Sequence, residues 1–143
     1  MVTLTGIYGN VLSSSRHHLW HDLSQISSMN LSNWFVLGDF NACFGAHEKT
    51  GRPPPRRSCS EFLSAMSDCG LTYLDTRGPL FTWKNNRTCA QRVDIRLDRA
   101  FCNAASLENW RFMECHALAH HQSDHNPIIL CCKQQATFHH LPF

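Results

Sequence analysis

Apolar residues recur along this chain with two different periods. In the first segment Val2, Leu4 and Gly6 alternate with Thr3, Thr5 and Ile7, the period of a strand, and Gly9-Asn10 ends it. After Ser15, the residues Leu19, Leu23 and Ile26 fall at helical spacing, which predicts a helix with Ser15 as its N-cap. Residues 34–37 are apolar without a break, as in a short strand buried on both faces, and the run stops at Gly38. Residues 49–57 read as a loop, because Pro53-Pro54-Pro55 favours an extended backbone and excludes helix. Ser58-Cys59-Ser60-Glu61 has the form of a capping box, so the next helix should start there and bury Phe62, Leu63 and Met66. Gly70 suits the position just past that helix's end. Residues 71–74 and 81–83 read as short strands around a Gly78-Pro79 turn. Val93, Ile95 and Leu97 alternate with Asp94, Arg96 and Asp98, placing Asp98 at the end of a half-buried strand. A short helix over 103–109 and strands over 112–118 and 128–132 complete the set. Strands outnumber helices and do not alternate with them. That order favours packed sheets with helices outside over a doubly wound parallel sheet.

Composition agrees with a globular domain. The chain has 143 residues, 43% of them hydrophobic and 17% charged, enough for one domain with a true core. We read residues 1–134 as the domain and 135–143 as a tail. A net charge of +2 is too small to indicate nucleic-acid binding by itself, and ten histidines make that charge sensitive to mild acid. The eight cysteines are scattered, several in apolar runs, and no signal-peptide pattern is present at Met1-Val2-Thr3-Leu4. They read as reduced thiols of an intracellular protein, most of them small buried hydrophobes. No apolar stretch approaches the roughly 20 residues needed to span a bilayer, so a membrane is not an expected partner.

The chemistry gathers where strands end. In Gly38-Asp39-Phe40-Asn41 a carboxylate and a carboxamide stand two residues apart, on one face if the backbone is extended. Such a pair can orient a water or hold a cation, although Gly-Asp and Asn are also ordinary turn residues. In Ser123-Asp124-His125, Asp124 and His125 are adjacent and should point apart, so each needs its own partner; Asp98 is a candidate for His125. Asp98 itself lies between Arg96 and Arg99, where a surface ion pair is the plainer expectation, and Asp94 is a rival for its role. Lys49, Arg52, Arg56 and Arg57 form a basic loop suited either to a nucleic-acid backbone or simply to water. His116/His120 and His121/His125 have the i, i+4 spacing of zinc ligands. The chain has no Cys-x-x-Cys and no His-Glu-x-x-His, which leaves a zinc-binding interaction module as the weakest reading.

Five stretches, in this order, resemble the endonuclease/exonuclease/phosphatase superfamily, and within it the endonuclease domain of plant LINE-type, non-LTR retrotransposons. They are Thr5-Gly6-Ile7-Tyr8-Gly9-Asn10, Trp34-Phe35-Val36-Leu37-Gly38-Asp39-Phe40-Asn41, Phe81-Thr82-Trp83, Arg96-Leu97-Asp98-Arg99-Ala100 and Ser123-Asp124-His125-Asn126-Pro127. The resemblance implies an α+β fold of two packed, mainly antiparallel sheets flanked by helices, a four-layer α/β/β/α sandwich. It also implies that the chain corresponds to the C-terminal part of such a domain, after the family's metal-binding Glu, with part of one sheet missing and exposed edges left behind. The implied function is Mg²⁺- or Mn²⁺-dependent nicking of DNA by attack of water on phosphate. Tyr8 would contact the scissile phosphate, and Asp39 would orient or deprotonate the water. Asn41 would hold that water and a phosphoryl oxygen. Asp98 would pair with His125, which would neutralise the phosphate; Asp124 would help hold the metal, and Thr82 would line the site. Arg52, Arg56 and Arg57 would bind substrate. A reverse transcriptase in a parent polyprotein and a nuclear setting follow from the same resemblance. The alternative is a non-catalytic retroelement remnant that at most binds nucleic acid weakly.

Overall fold

A computed structural model of the chain describes residues 1–119 and 122–134. Its centre is a four-stranded sheet of β1 (Val2–Tyr8), β2 (Asn33–Asp39), β7 (Asp98–Asn103) and β3 (Leu71–Leu74), in that order. The first pair is parallel and the other two antiparallel. Period-two alternation divides its residues between two cores. Ile7, Trp34, Val36 and Phe101 face one way, Phe35, Ala100 and Cys102 the other.

On the first face lie α1 (His17–Ser27) and α2 (Arg56–Asp68). Leu19, Trp20, Leu23 and Ile26 of α1 and Phe62 and Met66 of α2 close this core. Phe62 is surrounded by Trp20, Phe40, Phe44 and Phe101 at centroid distances of 5.1–6.0 Å. Burying each such ring contributes about 1.5–3 kcal/mol, so this cluster fixes how the helices sit on the sheet. The second face packs on a smaller sheet, β4 (Thr76–Arg77), β8 (Trp110–Ala117) and β9 (Ile128–Gln134). There Phe35, Leu74 and Cys102 meet Cys115, Met113, Ile128 and Leu130. A two-stranded ribbon, β5 (Trp83–Lys84) with β6 (Asp94–Ile95), stands at one end. The short α3 (Ala104–Asn109) stands near the other, capped by Asn103, whose Oδ1 accepts from the Ser106 N–H. The architecture is the expected mainly antiparallel α+β arrangement of packed sheets with helices outside.

The three-stranded sheet does not cover β1. Val2 and Leu4 share the face of Phe35 and Leu37, yet are 50% and 65% exposed. β1 is thus an edge strand among the described residues.

Several local expectations need correction. Ser15 does not cap α1; it lies in a preceding 3₁₀ turn, and the cap position is Arg16. Ser58 caps nothing either. Pro55, with φ near −59°, already presets the backbone, so α2 begins at Arg56 and the Ser58 hydroxyl instead receives the Arg16 guanidinium at 2.6 Å. Leu63 is not buried: the inward stripe of α2 is Cys59, Phe62 and Met66, and Leu63 falls on its flank, 47% exposed. Asp98 begins a strand rather than ending one. The alternation of residues 93–97 breaks after Ile95, and β7 then runs as the central strand from Asp98, buried through Cys102. Its burial was hidden in the sequence by Asp98 and Arg99, two charged residues ahead of the apolar Ala100-Phe101-Cys102. The strand read at 81–83 is placed at Trp83–Lys84.

Candidate active site

The site grows from the end of β2. Gly38 has φ +140°, and a Cβ there would lie 2.2 Å from the Ile7 carbonyl oxygen, so only glycine lets β1 pair this closely with β2. The next residue, Asp39, is held at the strand's last position between Tyr8 and Asp98. The chain then turns, with Asn41 at φ +48°. Asp39 and Asn41 therefore meet across a turn and not along an extended strand. The Asn41 N–H donates to Asp39 Oδ1 at 2.8 Å, and its side-chain Nδ2 donates to Asp39 Oδ2 at 2.9 Å and to the Gly9 carbonyl at 2.8 Å. Both amide hydrogens are spent, and Asn41 Oδ1 is left to accept from a water. The turn reading and the functional reading of this motif are the same geometry.

Asp98 and His125 arrive from elsewhere in the chain. Thr82 organises both. Its hydroxyl oxygen accepts from the N–H groups of Leu97 and Asp98, each at 2.9 Å, and its carbonyl accepts from Asn126 at 2.7 Å. Thr82 is fully buried, so it positions the site and does not line it. His125 Nδ1 lies 3.0 Å from Asp98 Oδ2. A carboxylate only accepts, so Nδ1 carries the hydrogen and Nε2 is turned towards Asp39 Oδ2, 3.9 Å away. Burial pushes the Asp39 carboxyl above its ordinary range. The Asn41 N–H bond opposes that shift, the Asp98 charge adds to it, and His125 and Arg16 oppose it.

Asp39, Asp98 and His125 each offer one ligand atom, and these atoms all lie within 4.8 Å of one another. Two carboxylates and an imidazole make a donor set that fits a divalent cation. A cation there would also counter the burial and the neighbouring Asp98 charge that raise Asp39. Asp124 does not join this cluster. Its carboxylate is exposed and accepts from Trp83 Nε1 at 2.9 Å, a bond that holds it below the usual carboxylate range. Asp94 is engaged by Arg92 at 2.9 Å. Tyr8, 84% exposed, stands beside Asp39 at the end of β1.

The basic residues divide. Arg52 and Lys49 line a cleft of about 650 Å³ together with Asn41, Arg16 and Pro53. Arg57 is drawn aside by Glu61, with Nε 2.7 Å from Oε1, and Arg56 borders a separate hollow beside Leu63. All eight cysteines are free thiols, five of them buried. His116 bonds Glu114 at 3.0 Å, whereas His120 and His121 lie outside the described residues. No described helix is long and apolar enough to cross a membrane.

Sequence reasoning missed the frame beneath these side chains. Glu48 and Arg99 form a buried, bidentate ion pair, with Nη1 to Oε1 at 2.9 Å and Nη2 to Oε2. Glu48 Oε2 also accepts from the Phe44 N–H at 2.6 Å, and the Arg99 guanidinium lies 4.1 Å above the Phe44 ring. This ties the loop after Asn41 to β7, which carries Asp98. The signal for it in the sequence was slight: an arginine leading directly into the apolar Ala100-Phe101-Cys102.

Comparison with known proteins agrees with this geometry. A comparison with curated proteins finds no match. Among solved structures, the endonuclease domain of TRAS1, a telomere-specific non-LTR retrotransposon, superposes with a TM-score of 0.64 at 18% identity, over 83% of this chain and 52% of that one. At that identity the likeness concerns the fold, and the chain spans about half the length of that structure. The family described as endonuclease-reverse transcriptase matches residues 6–129, from β1 into β9, with every residue of the Asp39–Asp98–His125 cluster inside the match. The chain thus belongs to the endonuclease-reverse transcriptase family, and its fold is that of the endonuclease/exonuclease/phosphatase domains.

Proposed function

We propose that this chain carries the phosphodiester-cleaving chemistry of a divalent-metal-dependent DNA endonuclease. The observation that carries the reading is the convergence of Asp39, Asp98 and His125 from three separate segments onto one point beside an open cleft. Asp39, fixed by the Asn41 N–H and Nδ2 at the end of β2, accepts the proton of the attacking water. Asn41 Oδ1 accepts the water's other hydrogen. His125, with Nδ1–H fixed on Asp98, turns Nε2 to the phosphate and neutralises it when protonated. Tyr8 reaches the same phosphate from the end of β1. Asp39 and Asp98 would hold a divalent ion, such as Mg²⁺ or Mn²⁺, which when bound would supply charge stabilisation to the phosphoryl and leaving oxygens. Asp124, outside the cluster and bonded to Trp83 Nε1, would reach that ion only through water on the solvent side. Arg52 on the cleft wall takes DNA phosphates, and Arg56 and Arg57, which do not line that cleft, would take phosphates farther along the duplex. An intracellular, nuclear setting and a reverse transcriptase in the same polyprotein fit this reading.

The test is conversion of supercoiled plasmid to open circles. Nicking is expected in Mg²⁺ or Mn²⁺, absent in EDTA, and lost in Asp39→Ala. Plasmid left closed in both ions, or nicked equally by Asp39→Ala, would overturn the reading.

A further inference from the structure

Two aliphatic side chains stand in water beside the site, and the fold holds them there. Val11 is 74% exposed and Leu12 65%, in the loop between β1 and α1. The loop is tightly tied. The Leu12 N–H donates to Asn10 Oδ1 at 2.8 Å. Arg16, only 5% exposed, directs Nη1 to the carbonyl oxygens of Asn10 and Val11, both at 3.0 Å, while its Nη2 is anchored on Ser58. At the loop's base Gly9 donates to the Asp39 carbonyl at 2.6 Å and accepts from Asn41 Nδ2. A Cβ on Gly9 would meet the Phe40 carbonyl oxygen at 2.4 Å, so the approach depends on glycine. The loop tip is therefore registered, through one residue, to the Asp39–Asn41 pair. Val11 forms one wall of the cleft that holds Asn41, and Lys49 and Arg52 belong to the same cleft.

Singly exposed aliphatics are ordinary, but these two are adjacent, held in a fixed backbone conformation, and set where Val11 walls a cleft beside the site. The cation-lined cleft beside them identifies the occupant as a polyanion that also presents apolar surface, and a duplex opened at one base step does both. We infer that the loop at 10–12 is an apolar wedge for DNA. Val11 and Leu12 enter a base step and cover the unstacked base faces, while Arg52, whose carbonyl accepts from Lys49 Nζ, holds the adjacent phosphate, so that the strand is opened next to Asp39. The inference rests on the nuclease reading for its substrate, but not for its readout.

The test uses the whole chain in EDTA, with a short DNA duplex carrying 2-aminopurine, whose fluorescence rises on unstacking. The wild type is expected to bind and to raise that fluorescence. Val11→Ser combined with Leu12→Ser should bind about tenfold more weakly, the scale of losing one buried aliphatic contact, and should give no rise even when the duplex is saturated. Arg52→Ala should weaken binding and flatten its salt dependence while leaving the rise at saturation. Both serines replace exposed side chains, so an unchanged melting temperature confirms that the fold is intact. A double variant that binds and unstacks like wild type, or a wild type that binds without unstacking, overturns the wedge. So does a wild type that self-associates through this loop in sedimentation while the serine variant is monomeric and binds DNA unchanged; the surface is then a protein contact. Unstacking without plasmid nicking sinks the nuclease reading alone, and nicking that ignores both serines sinks the wedge alone.

Discussion

At Asp39 the fold works against the charged form of its own side chain. Burial raises the carboxyl above its ordinary value of 3.8, so the protonated form is favoured in the folded state. The sign follows from linkage: this group's stabilising contribution is complete below the unfolded value and is lost as pH rises through the raised folded value. The stability of the wild type relative to Asp39→Asn should therefore fall as pH rises from about 3.8 through the raised folded value, measured by urea melts of both proteins across that window. In plasmid nicking the same variant should lose at least about 100-fold, the usual scale for a general base. Asp124 makes the useful contrast. Asn at this position can still accept from Trp83 Nε1, so Asp124→Asn should retain more activity than Asp39→Asn in the same assay. Equal losses would show that Asp124 acts at the metal as fully as Asp39 does. At this scale the candidate set was largely legible, because Asp39, Asn41, Asp98 and His125 stand in recognisable strings. The work of each was less so. Asn41 spends both amide hydrogens inside the protein, and Thr82 supports Asp98 from within the core, because hydrogen-bond partners distant in sequence decide what each polar group has left to offer.

The elements are held in place by contacts that cross the site. Gly38→Ala would force a left-handed conformation on a residue with a side chain and push its Cβ against the Ile7 backbone. It should cost at least about 1–3 kcal/mol and loosen the β1–β2 pairing, seen as a lower urea midpoint and faster amide exchange in β1. Glu48→Ala should cost more, about 3–5 kcal/mol, because it strands the fully buried Arg99 without its partner. A loss below about 1 kcal/mol would mean that water reaches this pair. Element types followed from the pattern where it is clean, as in the unbroken apolar run of β2 and the inward stripe of α2. Boundaries failed where one residue has two readings. Ser58 looks like a cap but serves Arg16, and Arg99 looks like surface but lies in the core beneath a central strand. Pairing energy from a distant segment outweighed local propensity in both cases.

For the whole molecule, the cluster of Asp39, Asp98 and His125 should make stability depend on divalent ions. Saturating Mn²⁺ or Mg²⁺ at about 100 times its dissociation constant should add roughly 2.7 kcal/mol to the wild type and nothing to Asp39→Ala, read as a shift in melting temperature. No shift in the wild type would remove the metal from the proposal. Five ordered motifs led to the superfamily and the α+β class, because each motif marks the end of a strand and strand ends in packed sheets gather at one rim. Short-range patterns of apolar spacing, glycine at the close approach and acid at the strand end were thus decided by local sterics and solvation, which the sequence alone contains. Which carboxylates meet was decided only in three dimensions. Asp98 and His125 are 27 positions apart, and their bond depends on strand register, on the Thr82 scaffold and on the buried Glu48–Arg99 pair. Asp124, one residue from His125, is turned away to Trp83 by that same register. Distance along the chain carries no information about such meetings, because a packed sheet sets its neighbours by pairing across strands.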